Sequence, residues 1–143
     1  MKLESSVFPE LFEEKVFPKQ GGQVKHFIKS TSKGFKGFGE AYFSSVEEGS
    51  ISGWKRHRRV SCNLGVLRGN VRFVLIFPEN QFVQFKLSAD DSKRLFIPPN
   101  FWYGFQGISP VVSMIINIID ETHDPDEQDQ CKLDQFNFDW IIK

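Results

Sequence analysis

Cysteine, histidine, tyrosine and methionine are all scarce in this chain of 143 residues, which holds two Cys, three His, two Tyr and two Met. The cysteines, Cys62 and Cys131, stand far apart with no C-x-x-C spacing, which excludes a disulfide framework and a zinc knuckle. Net charge is absent as well: 18 Lys and Arg balance 18 Asp and Glu, and the sequence pI is near 6.8. A protein that binds nucleic acid by neutralising many phosphates needs a basic excess, so that class is set aside. No apolar run approaches the roughly 18 residues of a membrane span, and no apolar core of signal-peptide length follows Lys2. The expectation is a cytoplasmic protein with neither a membrane nor a nucleic acid as partner. Internal repeats, low-complexity segments and amphipathic helices longer than two turns are also missing.

What remains is a succession of short alternating runs. Strands are predicted over residues 54–59, 63–67, 71–77, 81–87, 94–97 and 111–119, with turns at Arg68-Gly69-Asn70 and Pro78-Glu79-Asn80. Two further short strands flank the glycine-rich bend at Gly34, Gly37 and Gly39. Strands of this length, spaced about ten residues apart, indicate an all-β sandwich or barrel, and 16 phenylalanines suit a filled interior. The length fits a single domain over residues 1–143. An arm is expected over 1–22, broken by Pro9, Pro18 and Gly21-Gly22, with a short helical turn or an edge strand. The barrel is expected over 23–127, and a C-terminal extension over 128–143. The tail HDPDEQDQCKLDQ, which crosses from the barrel into that extension, is expected to be acidic surface loop, and the apolar end FNFDWII is expected to dock on the sheet.

The stretch from Gly53 to Phe77 concentrates the chemistry. Lys55, Arg56, Arg58 and Arg59 crowd one imidazole, His57, at the entry to buried strand sequence. Side chains two apart share a strand face, so Lys55, His57 and Arg59 point one way, and regular pairing past Val60 would extend that wall through Ser61 and Asn63. A neutral imidazole there can act as a base. Lys55 or Asn63 could hold a carbonyl oxygen whose charge grows as a neighbouring C–H proton leaves, and Arg59 matches a diphosphate. The alternative is an edge strand whose charges deter aggregation. Tyr103, after Pro98-Pro99, is either a proton donor or an interfacial aromatic with a wet tip. His26 and His123 read as structural or solvated. A metal would want several His or carboxylate ligands on facing strands, which this pattern does not offer, so no metal is expected.

The segments GWKRHRR, CNLGVLRGNVRFVLIF, KLSADDSKRLFIPPNFWYGFQG and SMIINIIDETHDPDE together resemble the dTDP-4-dehydrorhamnose 3,5-epimerase family over residues 24–127. That resemblance implies a cupin-type jelly-roll barrel (a double-stranded β-helix), a homodimer, and a nucleotide-linked 4-keto-6-deoxyhexose bound without metal or other cofactor. It implies a histidine base, a basic residue stabilising the enolate, and a tyrosine returning a proton on the other ring face. His57 falls on the base. The family lysine falls near Cys62 or Asn63, Tyr103 stands in place of a second histidine, and Ile116 stands in place of the tyrosine acid, with Asn117 beside it. The carboxylate that orients the base has no evident counterpart. The expected function is therefore a nucleotide-sugar epimerase or isomerase, single-centre or altered in specificity, with His57 as base, Lys55 and Asn63 on the ketone, Tyr103 as acid, Arg59 on phosphate and Asn117 contacting substrate. The alternative is a non-catalytic cupin that binds a sugar or nucleotide sugar.

Overall fold

The computed structural model describes residues 7–142. Its strands, in chain order, are β1 (Glu10–Glu13), β2 (Val16–Lys19), β3 (Gly22–Lys25), β4 (Glu40–Val46), β5 (Ile51–His57) and β6 (Cys62–Arg68). They continue with β7 (Asn70–Phe77), β8 (Gln81–Ser88), β9 (Lys93–Ile97), β10 (Tyr103–Gly107), β11 (Ser113–Ile119) and β12 (Gln128–Gln130). Five strands form one sheet in the order β1-β9-β6-β11-β4, and five form a second in the order β12-β5-β10-β7-β8. All the pairings within them are antiparallel. The expected all-β jelly-roll barrel is what these residues build.

Alternation places the core. On β7, Val71, Phe73 and Leu75 point between the sheets and meet Leu64, Leu95, Ile97 and Ile115 from the facing one. Burying a side chain of this size stabilises by about 1.5–3 kcal/mol, so these positions dominate folding. β11 alternates in the same way: Ser113, Ile115, Asn117 and Ile119 are buried, whereas Met114, Ile116 and Ile118 are only half-buried on the outside. The expected reversal at Gly69 is present, with φ +78°, and a Cβ there would sit 2.3 Å from the Ser113 hydroxyl, so only glycine fits.

The outer face of the second sheet is covered by the chain's own C-terminus. Trp54 and Val74 point away from the barrel and are capped by Phe136, Phe138 and Trp140. The Trp54 ring lies 5.4 Å from Trp140 and 5.5 Å from Phe136, and its Nε1 donates to the Leu133 carbonyl at 3.0 Å. Arg72 adds a polar clamp, donating to the Trp140 carbonyl at 2.7 Å. The expected docking of the apolar tail is thus realised. Part of the arm is an edge strand, since β1 pairs with β9. Buried Arg94 ties it down by donating to Glu14 at 2.9 Å, with its guanidinium 4.5 Å from the Phe12 ring centroid. The β2–β3 hairpin runs across the boundary expected at residue 22.

Candidate active site

β5 ends at His57, and the chain then bends through residues 58–60. The amides of Arg58, Arg59 and Val60 converge on Oε2 of Glu127, at 3.0, 2.9 and 2.9 Å. The other carboxylate oxygen, Oε1, lies 2.5 Å from His57 Nδ1. Glu127 reaches this position because Asp124 accepts from the Asp126 amide at 3.0 Å, starting the 3-10 turn Pro125–Glu127, and because β12 then pairs Gln128 with His57. Burial would raise the Glu127 carboxyl, but the imidazole and the amides of Arg59 and Val60 outweigh it and hold the group below its ordinary 4.5.

An ionised carboxylate can only accept, so Nδ1 carries the shared proton and a neutral ring keeps its lone pair on Nε2. The ring is 5% exposed, and Nε2 is buried with no partner among the described residues. Leaving a buried polar atom unpaired costs about 1–3 kcal/mol, so the fold holds a basic nitrogen in reserve. Such an atom in a native fold calls for an explanation, and proton abstraction supplies one.

The groups around it line the barrel interior. The Tyr103 ring stacks near His57 at 6.5 Å between centroids, and Lys55 Nζ lies 5.8 Å from the centroid of the Tyr103 ring. The Tyr103 hydroxyl is hydrogen-bonded to the Cys62 thiol; burial first, then Cys62, pushes that phenol well above its ordinary value. Burial pushes the Cys62 thiol up to about 11. Asn117 Nδ2 donates to Tyr42 Oη at 3.0 Å, and Asn117 is also hydrogen-bonded to Cys62. Outward from this group opens a cavity of about 650 Å³, lined by Ser44 and Val46 of β4, Ser52 and Lys55 of β5, and Phe105 of β10, among others. Neither His57 nor Tyr103 is in its wall; Lys55 is, and it leads back to the imidazole through the Tyr103 ring.

The structure therefore brings together His57, Lys55, Tyr103 and Asn117 and leaves out two expected partners. Arg59 lies past the end of β5, where the chain wraps around Glu127. Its guanidinium is exposed, donates to Glu121 at 2.9 Å and stands 3.6 Å from Asp124, so it is not available to the cavity as a phosphate ligand. Asn63 faces the opposite side of β6 from Cys62. Its amide donates to the Gly34 carbonyl at 3.1 Å and its oxygen accepts from Arg94, so it does not reach the ketone position. The expected regular wall through Arg59, Ser61 and Asn63 fails because the 58–60 bend breaks the alternation. Arg56 and Arg58 are paired with Asp129 at 2.8 and 3.0 Å. Of the four cations around His57, Lys55 is thus the one with no carboxylate partner among the described residues.

Glu127 is the functional residue that the sequence reading missed, and the acidic segment expected to be surface loop is what delivers it. Its signal was the D-x-D-E capping pattern, a turn aimed at a basic strand. Ile116, where the resemblance places the acid, points outward, and Asn117 is the inward neighbour. His26 is exposed, with its ring 5.0 Å from that of Phe17, and His123 is exposed. Among the described residues, no three His, Cys, Asp or Glu side chains gather as metal ligands would, and no helix is long and apolar enough to cross a membrane.

A dTDP sugar isomerase from Desulfovibrio desulfuricans G20 is 30% identical to this chain and superposes with a TM-score of 0.85, the match covering 92% of this chain and 90% of that one. The chain belongs to the dTDP-sugar isomerase family. More distant members share the fold. A dTDP-6-deoxy-D-glucose-3,5-epimerase from Legionella pneumophila Philadelphia 1, in complex with dTDP-4-keto-L-rhamnose, is 19% identical with a TM-score of 0.81 over 94% of this chain and 79% of that one. A point mutant of a 3,4-ketoisomerase from Thermoanaerobacterium thermosaccharolyticum, in complex with TDP-4-keto-6-deoxyglucose, is 19% identical with a TM-score of 0.73 over 84% of this chain and 85% of that one. No family model and no curated protein matches the chain.

Because the Glu127 carboxyl is held below 4.5 in the fold, its stabilising effect is fully present above that pH and is lost as pH falls through the depressed value. Urea midpoints should therefore show Glu127→Gln less stable than the parent at pH 7, with the gap closing towards pH 3. A gap that stays constant or widens with acid would contradict this account of the carboxylate.

Proposed function

We propose that the protein is an isomerase acting on a dTDP-linked 4-keto-6-deoxyhexose and that it inverts a single ring carbon. The observation that carries this reading is the His57–Glu127 pair, with Nδ1 committed to a carboxylate and Nε2 buried, unpaired and basic. A C–H next to a ketone becomes acidic enough to lose its proton only if the charge moving onto the ketone oxygen is stabilised. Lys55, the cation free of carboxylate partners and in the cavity wall, stands where it can hold that oxygen once substrate enters between the sheets. Glu127 stabilises the imidazolium that forms, as an orienting carboxylate does for any histidine base. Tyr103 packs against the base and Asn117 lines the interior beside it. With one unpaired base nitrogen serving the interior, removal of one ring proton is the chemistry this arrangement supports.

Two further features complete the reading. Cys62 and Cys131 are both free thiols, which suits a reducing compartment, and we place the protein in the cytoplasm. The outer face of the β4-bearing sheet exposes Phe43 (66%) and Leu67 (57%), with Phe38 (67%) close in sequence to β4. Exposed aromatic and aliphatic side chains on one sheet face suit an isologous contact between two copies of the chain.

General acid–base action contributes about two to four orders of magnitude. His57→Asn is therefore expected to lower turnover of dTDP-4-keto-6-deoxyglucose by at least about 10²-fold and to stop deuterium entering the sugar ring in deuterated water. Retention of a tenth of the parental rate would remove His57 from the role of base, and saturable binding with no label at any ring carbon in the parent would leave a binding protein. Sedimentation equilibrium is expected to give twice the 16.6 kDa chain mass, and Phe43→Asp to return it to one chain. A monomeric parent protein would sink the dimer.

A further inference from the structure

His57 and Tyr103 stand on neighbouring strands of one sheet, since β5 and β10 pair directly, with Tyr103 opposite Lys55. A flat keto-sugar ring entering between the sheets would meet both from the same side. Inversion at carbon needs a proton delivered from the other side, and the facing wall is β4. Alternation along β4 turns Tyr42, Ser44 and Val46 inward, and Ser44 and Val46 line the same cavity as Lys55. Tyr42 is thus one inward position deeper than Ser44, as His57 is one inward position deeper than Lys55.

The hydrogen bonds separate the two phenols. Tyr103 shares a hydrogen bond with the Cys62 thiol, so its hydroxyl is engaged on the wall it stands on. Tyr42 instead accepts, from Asn117 Nδ2 at 3.0 Å, its partner across the β4–β11 register. A phenol that accepts from an amide keeps its own hydrogen uncommitted, and the same amide stabilises the phenolate left when that hydrogen departs. We propose, resting on the isomerase reading above, that Tyr42 is the catalytic acid that returns a proton to the ring carbon from the face opposite His57. His57 Nε2 takes the carbon's proton and the electron pair moves onto the ketone oxygen. The enolate then collapses back to the ketone as carbon takes the Tyr42 hydrogen on its other face. The imidazolium and the phenolate are restored by one net proton transfer from the first to the second through water. Burial, the largest influence, raises the Tyr42 phenol to about 12, still far more acidic than an ordinary C–H beside a ketone.

The test is to incubate dTDP-4-keto-6-deoxyglucose in deuterated water with the parent, Tyr42→Phe and Asn117→Val. Recovered sugar is then followed by NMR for label and for configuration at the labelled carbon. The parent should give labelled, inverted sugar. Tyr42→Phe should lower inverted product by about 10²-fold or more while label still enters starting sugar of unchanged configuration, because base and enolate are intact. Asn117→Val should show the same split more weakly, which decides the matter if the first variant does not fold. Inversion within threefold of the parent in both variants would overturn the assignment, as would loss of label together with inversion in folded protein, or a split that follows Tyr103→Phe instead. Absence of label with the parent itself would overturn the isomerase reading beneath it.

Discussion

The Glu127 carboxylate is shared between the His57 imidazole and three successive backbone amides, and that sharing sets both the shape of the chain after β5 and the state of the imidazole. Three successive amides in a bend, that of Val60 buried and those of Arg58 and Arg59 partly so, need an acceptor, and a charged one satisfies them best. With one oxygen so occupied, the other is held at the imidazole edge and fixes which ring nitrogen carries hydrogen. The bend cannot open without stranding the carboxylate, and the imidazole cannot turn without losing its partner. Local backbone conformation and the tautomer of the His57 ring are therefore two consequences of one interaction.

The same strand links this site to the outside of the barrel. Lys55 and His57 face inward, while Trp54 and Arg56 face out to the C-terminal segment. The segment that delivers Glu127 continues as β12 along β5 and ends in the aromatic clasp over Trp54. The clasp contributes apolar burial on the outer face of the sheet, and by anchoring the end of the segment it holds the register that keeps Glu127 at the bend. The acidic residues of the segment, Asp129 above all, neutralise Arg56 and Arg58, leaving Lys55 as the cation the interior can use.

The architecture was legible because it rests on local rules: period-two alternation, Gly69 in its turn, and the Pro78-Glu79-Asn80 reversal. The site was legible only along one strand. His57 and Lys55 share a face because two residues separate them, and Tyr103 arrives beside them through the β5–β10 pairing. Arg59 and Asn63 were misplaced because alternation was extended through a bend whose cause, Glu127, lies about 70 residues away. Tyr42 was overlooked because nothing near it in sequence shows that β4 faces β5 across a cavity; only sheet stacking reveals that. Charge counting failed similarly, since the basic cluster looks like an anion site until its carboxylate partners fold back on it.

The most direct test of this account is the hydrogen on His57, observed by proton–nitrogen correlation NMR of the imidazole at neutral pH. The structure requires the neutral ring to be protonated at Nδ1, with a strongly deshielded, slowly exchanging signal that disappears in Glu127→Gln. A neutral ring protonated at Nε2, or a signal exchanging freely with water, would mean that the carboxylate does not hold the imidazole and that the buried basic nitrogen does not exist.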